Sequence, residues 1–391
     1  MLAHSPPLPL IIEYNDEDRK IAAEDEDEIV LALEQRERVR RIRLRLPVPN
    51  MQRFITVVDG EYPILEYVTI VAPNEVNDAS LMLTETFQAP HLRHIFLRGV
   101  AIPIGSQLLT TSVGLVTLYL AMNHPSAYLQ PTTLLHWISF MSQLEILAVV
   151  FAFPVLSHDV EMQLIRTPIT THATLLNLLI LVLRGNSAYM EAVVRHITTP
   201  RLQTLGIGFS NQITFSMIPC LLQFINTTES LRLGRAMFLF YDSHVSLVAD
   251  PNEEAKRPAL AIELKCSCFH MQVSSAARIS NALSQKFSTV KHLALKHEAY
   301  GLLSEEHNEV ERIEWRNLLR SFNNVNTLHI FDGLVGKLSR CLRSVNGELP
   351  LELLPELQEL IFPKSSAVGD PFTQFIDARK NAGRPVTLTR G

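Results

Sequence analysis

Apolar residues recur along the chain in one frame, apolar-x-x-apolar-x-apolar. In the first half it reads Val39-Ile42-Leu44, Leu65-Val68-Ile70, Leu92-Ile95-Leu97, Leu115-Leu118-Leu120, Leu144-Leu147-Val149 and Leu175-Leu178-Ile180. It continues as Leu202-Leu205-Ile207, Thr228-Leu231-Leu233, Ala259-Ile262-Leu264, Val290-Leu293-Leu295, Val325-Leu328-Ile330 and Leu357-Leu360-Phe362, with Thr228 and Ala259 its weakest members. The frame is the strand spacing of a leucine-rich repeat, and its mean recurrence of about 29 residues lies at the upper edge of that repeat's range. Between the strands lie segments with apolar residues every three to four positions, such as Met190 to Ile197, Ile279 to Phe287 and Val310 to Phe322, which predict helices.

Each unit therefore reads strand, turn, helix, turn. A single unit cannot bury both a strand face and a helix face, and stacking supplies the missing neighbour. The predicted fold is α/β, a leucine-rich-repeat-like solenoid of about a dozen strand-helix units; a closed three-layer α/β domain is the competing architecture. The organisation expected is an N-terminal strand and capping helix over 1–38, the solenoid over 39–363, and a C-terminal capping helix and tail over 364–391. Residues 22–38 form the first cap, with Glu24 to Glu28 in its opening turns and Arg36 and Arg38 in its last, as the helix dipole favours. Asp370-Pro371 starts and Gly383 stops the last helix, Pro371 to Ala382. Tyr241 to Pro258, with Asp250-Pro251-Asn252-Glu253-Glu254 inside it, is the longest expected loop.

Composition narrows the function. With 47% apolar and 19% charged residues, the chain is expected to fold almost end to end. A net charge of -5 supplies no long-range field for nucleic acid. Met1 to Pro9 is short, broken by prolines and followed by the acidic run Asp16 to Glu28, unlike a signal peptide. The run Leu175 to Leu183 contains Asn177 and falls well short of the roughly 20 apolar residues a membrane helix needs. The expected location is intracellular, cytoplasmic or nuclear, with neither nucleic acid nor membrane as a partner. Cys220, Cys266, Cys268 and Cys341 then read as reduced thiols.

Catalytic motifs fail at particular positions. Gly333-Leu334-Val335-Gly336-Lys337-Leu338-Ser339 has too few residues between its glycines for a phosphate loop, and Leu338 stands where a hydroxyl must follow the lysine. Gly206-Ile207-Gly208 meets Asn211 in place of the third glycine of a dinucleotide turn. No Gly-x-Ser-x-Gly elbow occurs. Cys266, Cys268 and His270 alternate along a presumed strand and offer three ligands for zinc, with His292 or Cys220 as a fourth, although buried core cysteines explain the pattern more simply. The six arginines between Arg36 and Arg45 read as solvated charges balanced by the preceding acids. The sequence predicts no enzyme, no cofactor and no metal.

Three segments carry a family resemblance. Pro7-Leu8-Pro9-Leu10-Ile11-Ile12, the stretch Leu33 to Leu44 (LEQRERVRRIRL) and the ending Phe375 to Val386 (FIDARKNAGRPV) together resemble the large fungal F-box family with degenerate leucine-rich repeats. The resemblance spans essentially the whole chain. It implies a ubiquitin-ligase substrate receptor whose repeats capture a protein, while an F-box binds a Skp-type adaptor of a cullin ligase. No F-box is readable before residue 39, so the adaptor is an expected partner only where such a box lies upstream. The alternative is a stand-alone repeat scaffold unrelated to ubiquitin, and an enzyme with an unrecognised site comes third.

Strand alternation gives the expected binding face, because residues beside the inward ones point outward. The first unit shows Arg41, Arg43 and Arg45; the third His94, Phe96 and Arg98; the fourth Thr117, Tyr119 and Ala121; the fifth Ile146, Ala148 and Val150; the sixth Asn177, Leu179 and Leu181. Charge returns later at Arg232, Glu263, Lys265 and Lys296. Phe96, Tyr119, Ile146, Val150, Leu179 and Leu181 are the residues expected to contact a protein partner.

Overall fold

A computed structural model describes residues 8–15, 22–72, 81–151, 168–210, 218–298, 309–331, 333–343, 352–363 and 371–390. Strands and helices alternate in an α/β fold, and the chain forms two compact units, Met1–Leu202 and Gln203–Gly391.

The first unit contains β1 (Leu10–Asn15), β2 (Val39–Arg45), β3 (Tyr67–Val71), β4 (Leu81–Met82), β5 (His94–Arg98) and β6 (Val100–Ala101). It continues with β7 (Thr117–Met122), β8 (Ile146–Phe151), β9 (Ala173–Thr174), β10 (Ile180–Gly185) and β11 (Ile197–Thr198). The main sheet runs β1-β2-β3-β5-β7-β8-β10 with every pairing parallel. The short strands pair separately, β4 with β6 and β9 with β11. Helices Val48–Val57, Pro131–Ser139 and Ser187–Arg195 bury Met51 and Phe54, Leu134 and Trp137, and Met190 and Val193 respectively.

One local device repeats before successive strands. The amide of the frame's first apolar residue closes a tight turn onto the carbonyl three residues back: Leu65 to Tyr62, Leu92 to Ala89, Leu115 to Ser112 and Leu144 to Met141. One carbonyl then accepts two amides from the next strand: Glu66 from Arg93 and His94, Arg93 from Val116 and Thr117, and Val116 from Glu145 and Ile146. This sets each strand in register with its neighbour. The inward rows Ile42, Val68, Ile95, Leu118, Leu147 and Leu44, Ile70, Leu97, Leu120, Val149 are buried as the frame predicts.

The sixth unit corrects the sequence frame. The turn bond there runs from Leu178 to Leu175, and the Glu145 carbonyl accepts from Leu179 and Ile180. The frame is therefore Leu178-Leu181-Leu183, three residues beyond Leu175-Leu178-Ile180. An odd slip exchanges the two faces of a strand. Leu181, expected to face outward, pairs with Leu147 and is fully buried, while Ile180 and Val182 are half-buried on the other face. Asn177 points at the preceding turn, donating to the Ser142 carbonyl at 3.0 Å.

The second unit contains β12 (Thr204–Phe209), β13 (Arg235–Phe240), β14 (His244–Asp250), β15 (Leu260–Lys265), β16 (His292–His297), β17 (Thr327–Ile330), β18 (Glu359–Phe362) and β19 (Thr387–Arg390). Its sheet order is β12-β15-β14-β13-β16-β17-β18-β19. All pairs are parallel except those of β14, which is antiparallel to both β13 and β15. The chain passes from β12 to β13 and then returns through β14 and β15 to lie beside β12.

Two expectations fail here. The strand read at Thr228-Leu231-Leu233 is irregular chain ahead of β13, whose inward residues are Ala236, Phe238 and Phe240. The loop expected over Tyr241 to Pro258 contains β14, with Val245, Leu247 and Ala249 buried at a period of two. Gly234 makes the crossing tight: a Cβ there would collide with the Pro251 carbonyl oxygen, while the Gly234 carbonyl accepts from Lys291 and His292.

Helices at Glu309–Arg320 and Thr373–Asn381 stand close to where the pattern places them, whereas the one expected over Ile279 to Phe287 is the end of a longer helix, Phe269–Ala282, followed by the short Ser284–Phe287. The N-terminal helix spans Ala23–Leu33 with Glu24, Asp25 and Glu26 in its first turn, and Arg36 and Arg38 lie in the separate 3-10 turn that follows. The expected cap Asp370 lies outside the described residues. In the last helix Arg379 is fully buried, and its guanidinium donates to the carbonyls of Leu353, Leu354, Pro355 and Leu357 at 3.1 to 3.4 Å. It ties the helix to the turn that precedes β18.

Leu118→Ala, Leu205→Ala and Leu293→Ala are each expected to destabilise the protein by about 2–5 kcal/mol in urea titrations. The corrected register adds that Leu181→Ala falls in the same range and Ile180→Ala costs about 1 kcal/mol or less. The opposite ranking of that pair contradicts it.

Candidate functional site

The outward residues of the first unit's sheet fall into cross-strand rows. One row is Arg41, Tyr67, His94, Thr117, Ile146 and Ile180, and the next is Glu13, Arg43, Thr69, Phe96, Tyr119, Ala148 and Val182. Parallel strands about 4.8 Å apart place ring beside ring along a row.

In the first row the Arg41 guanidinium lies over Tyr67 at 4.6 Å from its centroid, and Tyr67 stacks on His94 at 4.5 Å and 10°. Arg41 also meets Glu13 at 3.5 Å. His94 Nδ1 stands 3.1 Å from the Thr117 hydroxyl. In the second row Phe96 stacks on Tyr119 at 4.1 Å and 7°. Stacked pairs of this kind contribute about 0.5–1.5 kcal/mol beyond their burial, so the rows hold their side chains in place. Thr69, shorter than its neighbours, leaves a depression of about 360 Å³ between Glu13, Arg41, Arg43 and Arg45 on one side and Tyr67 and Phe96 on the other.

Phe96 and Tyr119 occupy the face as expected from sequence, and Ile146 and Val150 are half-buried on it. Leu179 is half-buried in the turn before β10, and Leu181 is core. Ile180 and Val182 take their places in the rows. Tyr67 and Thr69 were missed, although the alternation that found Phe96 also gives them, since they flank Val68.

The other candidates do not assemble. Cys266 follows the end of β15, Cys268 precedes a helix and His270 lies within it, so the three share no strand face. Among the described residues no group of three or more His, Cys, Asp or Glu is arranged to hold a metal ion. Lys337, from the loop likened to a phosphate loop, pairs with Glu311 at 2.8 Å with both side chains about nine-tenths buried, and lies 5.3 Å over the Phe269 ring. Asn211 lies outside the described residues. No helix among the described residues is long and apolar enough to cross a membrane.

Burial holds the His94 pKa below its ordinary value near 6.5, and neighbouring Arg93 adds repulsion. Burial acts the same way on His297 and His329. The unfolded chain then binds these protons more tightly, so their contribution to stability is complete above about pH 6.5 and is lost as the pH falls through the folded values. His94→Phe preserves the stack on Tyr67 and is expected to flatten the decline of melting temperature as the pH falls below about 6.5. An unchanged slope contradicts this.

No family model matches the chain, and no curated protein matches it.

Proposed function

We propose that this chain is a protein-interaction module, a leucine-rich-repeat-like solenoid that forms the substrate-recognition part of an F-box-type ubiquitin-ligase receptor and acts inside the cell. The protein substrate docks on the open rows of the first unit's sheet, and no covalent chemistry is involved. A Skp-type adaptor joins only through an F-box, which is a separate element from this face. The strand, turn and helix units and the shared carbonyl before successive strands support the repeat reading, and the likeness of Leu33 to Leu44 and Phe375 to Val386 to the fungal family supports the ligase reading.

The observation that carries the proposal is the composition of the rows. Tyr67, His94, Phe96, Tyr119, Ile146, Ile180 and Val182 sit half-buried on one sheet face, with Arg43, Arg98 and Arg184 exposed at its border. Aromatic and arginine residues are enriched in protein interfaces, and an apolar centre inside a charged rim is how such interfaces are built. The stacked rings are ordered before any partner arrives, which lowers the entropy lost on binding.

Phe96→Asp and Tyr119→Asp are expected to leave the melting temperature within a few degrees of wild type while abolishing capture of the cellular partner, a loss of about 30-fold or more in affinity for a hot-spot residue. Loss of the fold in both variants shows the patch to be internal core, and unchanged capture places the partner elsewhere.

A further inference from the structure

Between the arginine of β2 and the aromatic of β5 the two rows differ at the β3 position, a ring in one and Thr69 in the other, and the difference has the shape of a ligand. In the first row a ring, Tyr67, lies between a guanidinium and an aromatic: Arg41 covers one face at 4.6 Å and His94 the other at 4.5 Å. The second row repeats the flanks, Arg43 on β2 and Phe96 on β5, but the strand between them carries Thr69. Phe96 uses one ring face against Tyr119, and its other face looks across Thr69 towards β2. Arg43 is exposed and has no ion-pair partner among the described residues. Two strand spacings separate Arg43 from Phe96, about 9.6 Å, the same interval that accommodates the Tyr67 ring in the adjoining row.

We propose that the hole above Thr69 is a binding pocket for a planar aromatic side chain of the protein partner, held between the Arg43 guanidinium and the open face of Phe96. This rests on the reading of the face as a protein-binding surface and deepens it by naming the chemistry of the anchor. The neighbouring row is the template: the inserted ring takes the place that Tyr67 occupies beside it, with cation–π contact on one side and an offset stack on the other. A branched aliphatic side chain fills the volume without either contact. The depression of about 360 Å³ has room for one ring and the chain that carries it.

The test uses the full chain with methyl-labelled threonine and N-acetyl-tryptophanamide as probe. A ring seated over Thr69 shifts its methyl resonance upfield in a saturable way, and the shift is expected to weaken several-fold in Arg43→Ala and to vanish in Phe96→Ala. An unmoved methyl, or an equal response to N-acetyl-leucinamide, overturns the proposal. Saturation by adenosine at lower concentration than by the tryptophan amide also overturns it, by assigning the pocket to a nucleobase. Capture of the cellular partner separates the two levels of inference. Thr69→Tyr, which fills the hole from within, is expected to abolish capture, while Thr69→Ser keeps the hole and the capture. Loss in Phe96→Asp with full capture by folded Thr69→Tyr defeats the pocket and leaves the face standing; capture indifferent to both defeats the face.

Discussion

The period of two along a parallel strand is the constraint on which everything else depends. Each strand must place its Leu, Ile or Val residues on the covered side, and a one-residue slip would bring all of them to the other side. The chain fixes the choice with backbone chemistry: a tight turn closed by the residue three before the central inward position, and one carbonyl shared between two amides of the next strand. Because the turn recurs at Leu65, Leu92, Leu115, Leu144 and Leu178, and the shared carbonyl at the last four of these, the outward residues of successive strands fall into straight rows. The stacks of Tyr67 on His94 and Phe96 on Tyr119 follow from that alignment.

Where the apolar frame stands among polar residues, as at Leu92-Ile95-Leu97 or Val290-Leu293-Leu295, sequence and structure agree on which side chains are buried. Agreement ends where the frame has no contrast. From Leu175 to Leu183 every residue but Asn177 is aliphatic, so two frames fit equally well, and only the turn bond at Leu178 and the shared Glu145 carbonyl select between them. The β13–β14 hairpin was hidden for another reason. Its alternation at Val245, Leu247 and Ala249 is regular, but it lies ahead of the Asp250-Pro251-Asn252 cluster, whose turn chemistry marks the end of the strand and not a loop reaching back to Tyr241. Lateral order is also invisible in a periodic pattern: nothing in the spacing tells that β15 pairs with β12 ahead of β13.

The outward face of the first unit's sheet was half legible. Alternation alone identifies Phe96 and Tyr119, because their unit has an unambiguous frame, and it misassigns Leu181 because its unit does not. The pocket above Thr69 needed the cross-strand register, since its content is a comparison between two rows that no single strand displays. The arginines of β2 are told apart in the same way. Arg41 is committed to Glu13 and Tyr67, whereas Arg43, two residues along, faces the same side and lines the depression beside Thr69.

The central claim is that the outward rows are open to solvent while the inward rows are core, and single-cysteine reactivity measures this directly. In a Cys220→Ser, Cys268→Ser background, which removes the half-buried and the exposed native thiols and leaves only the buried Cys266 and Cys341, cysteines placed at Thr69, Phe96, Tyr119 and Val182 are expected to react with a maleimide under native conditions. Those placed at the inward neighbours Val68, Ile95, Leu118 and Leu181 are expected to stay protected until the protein unfolds. Equal protection of the two sets would show that the face is covered and would contradict the account.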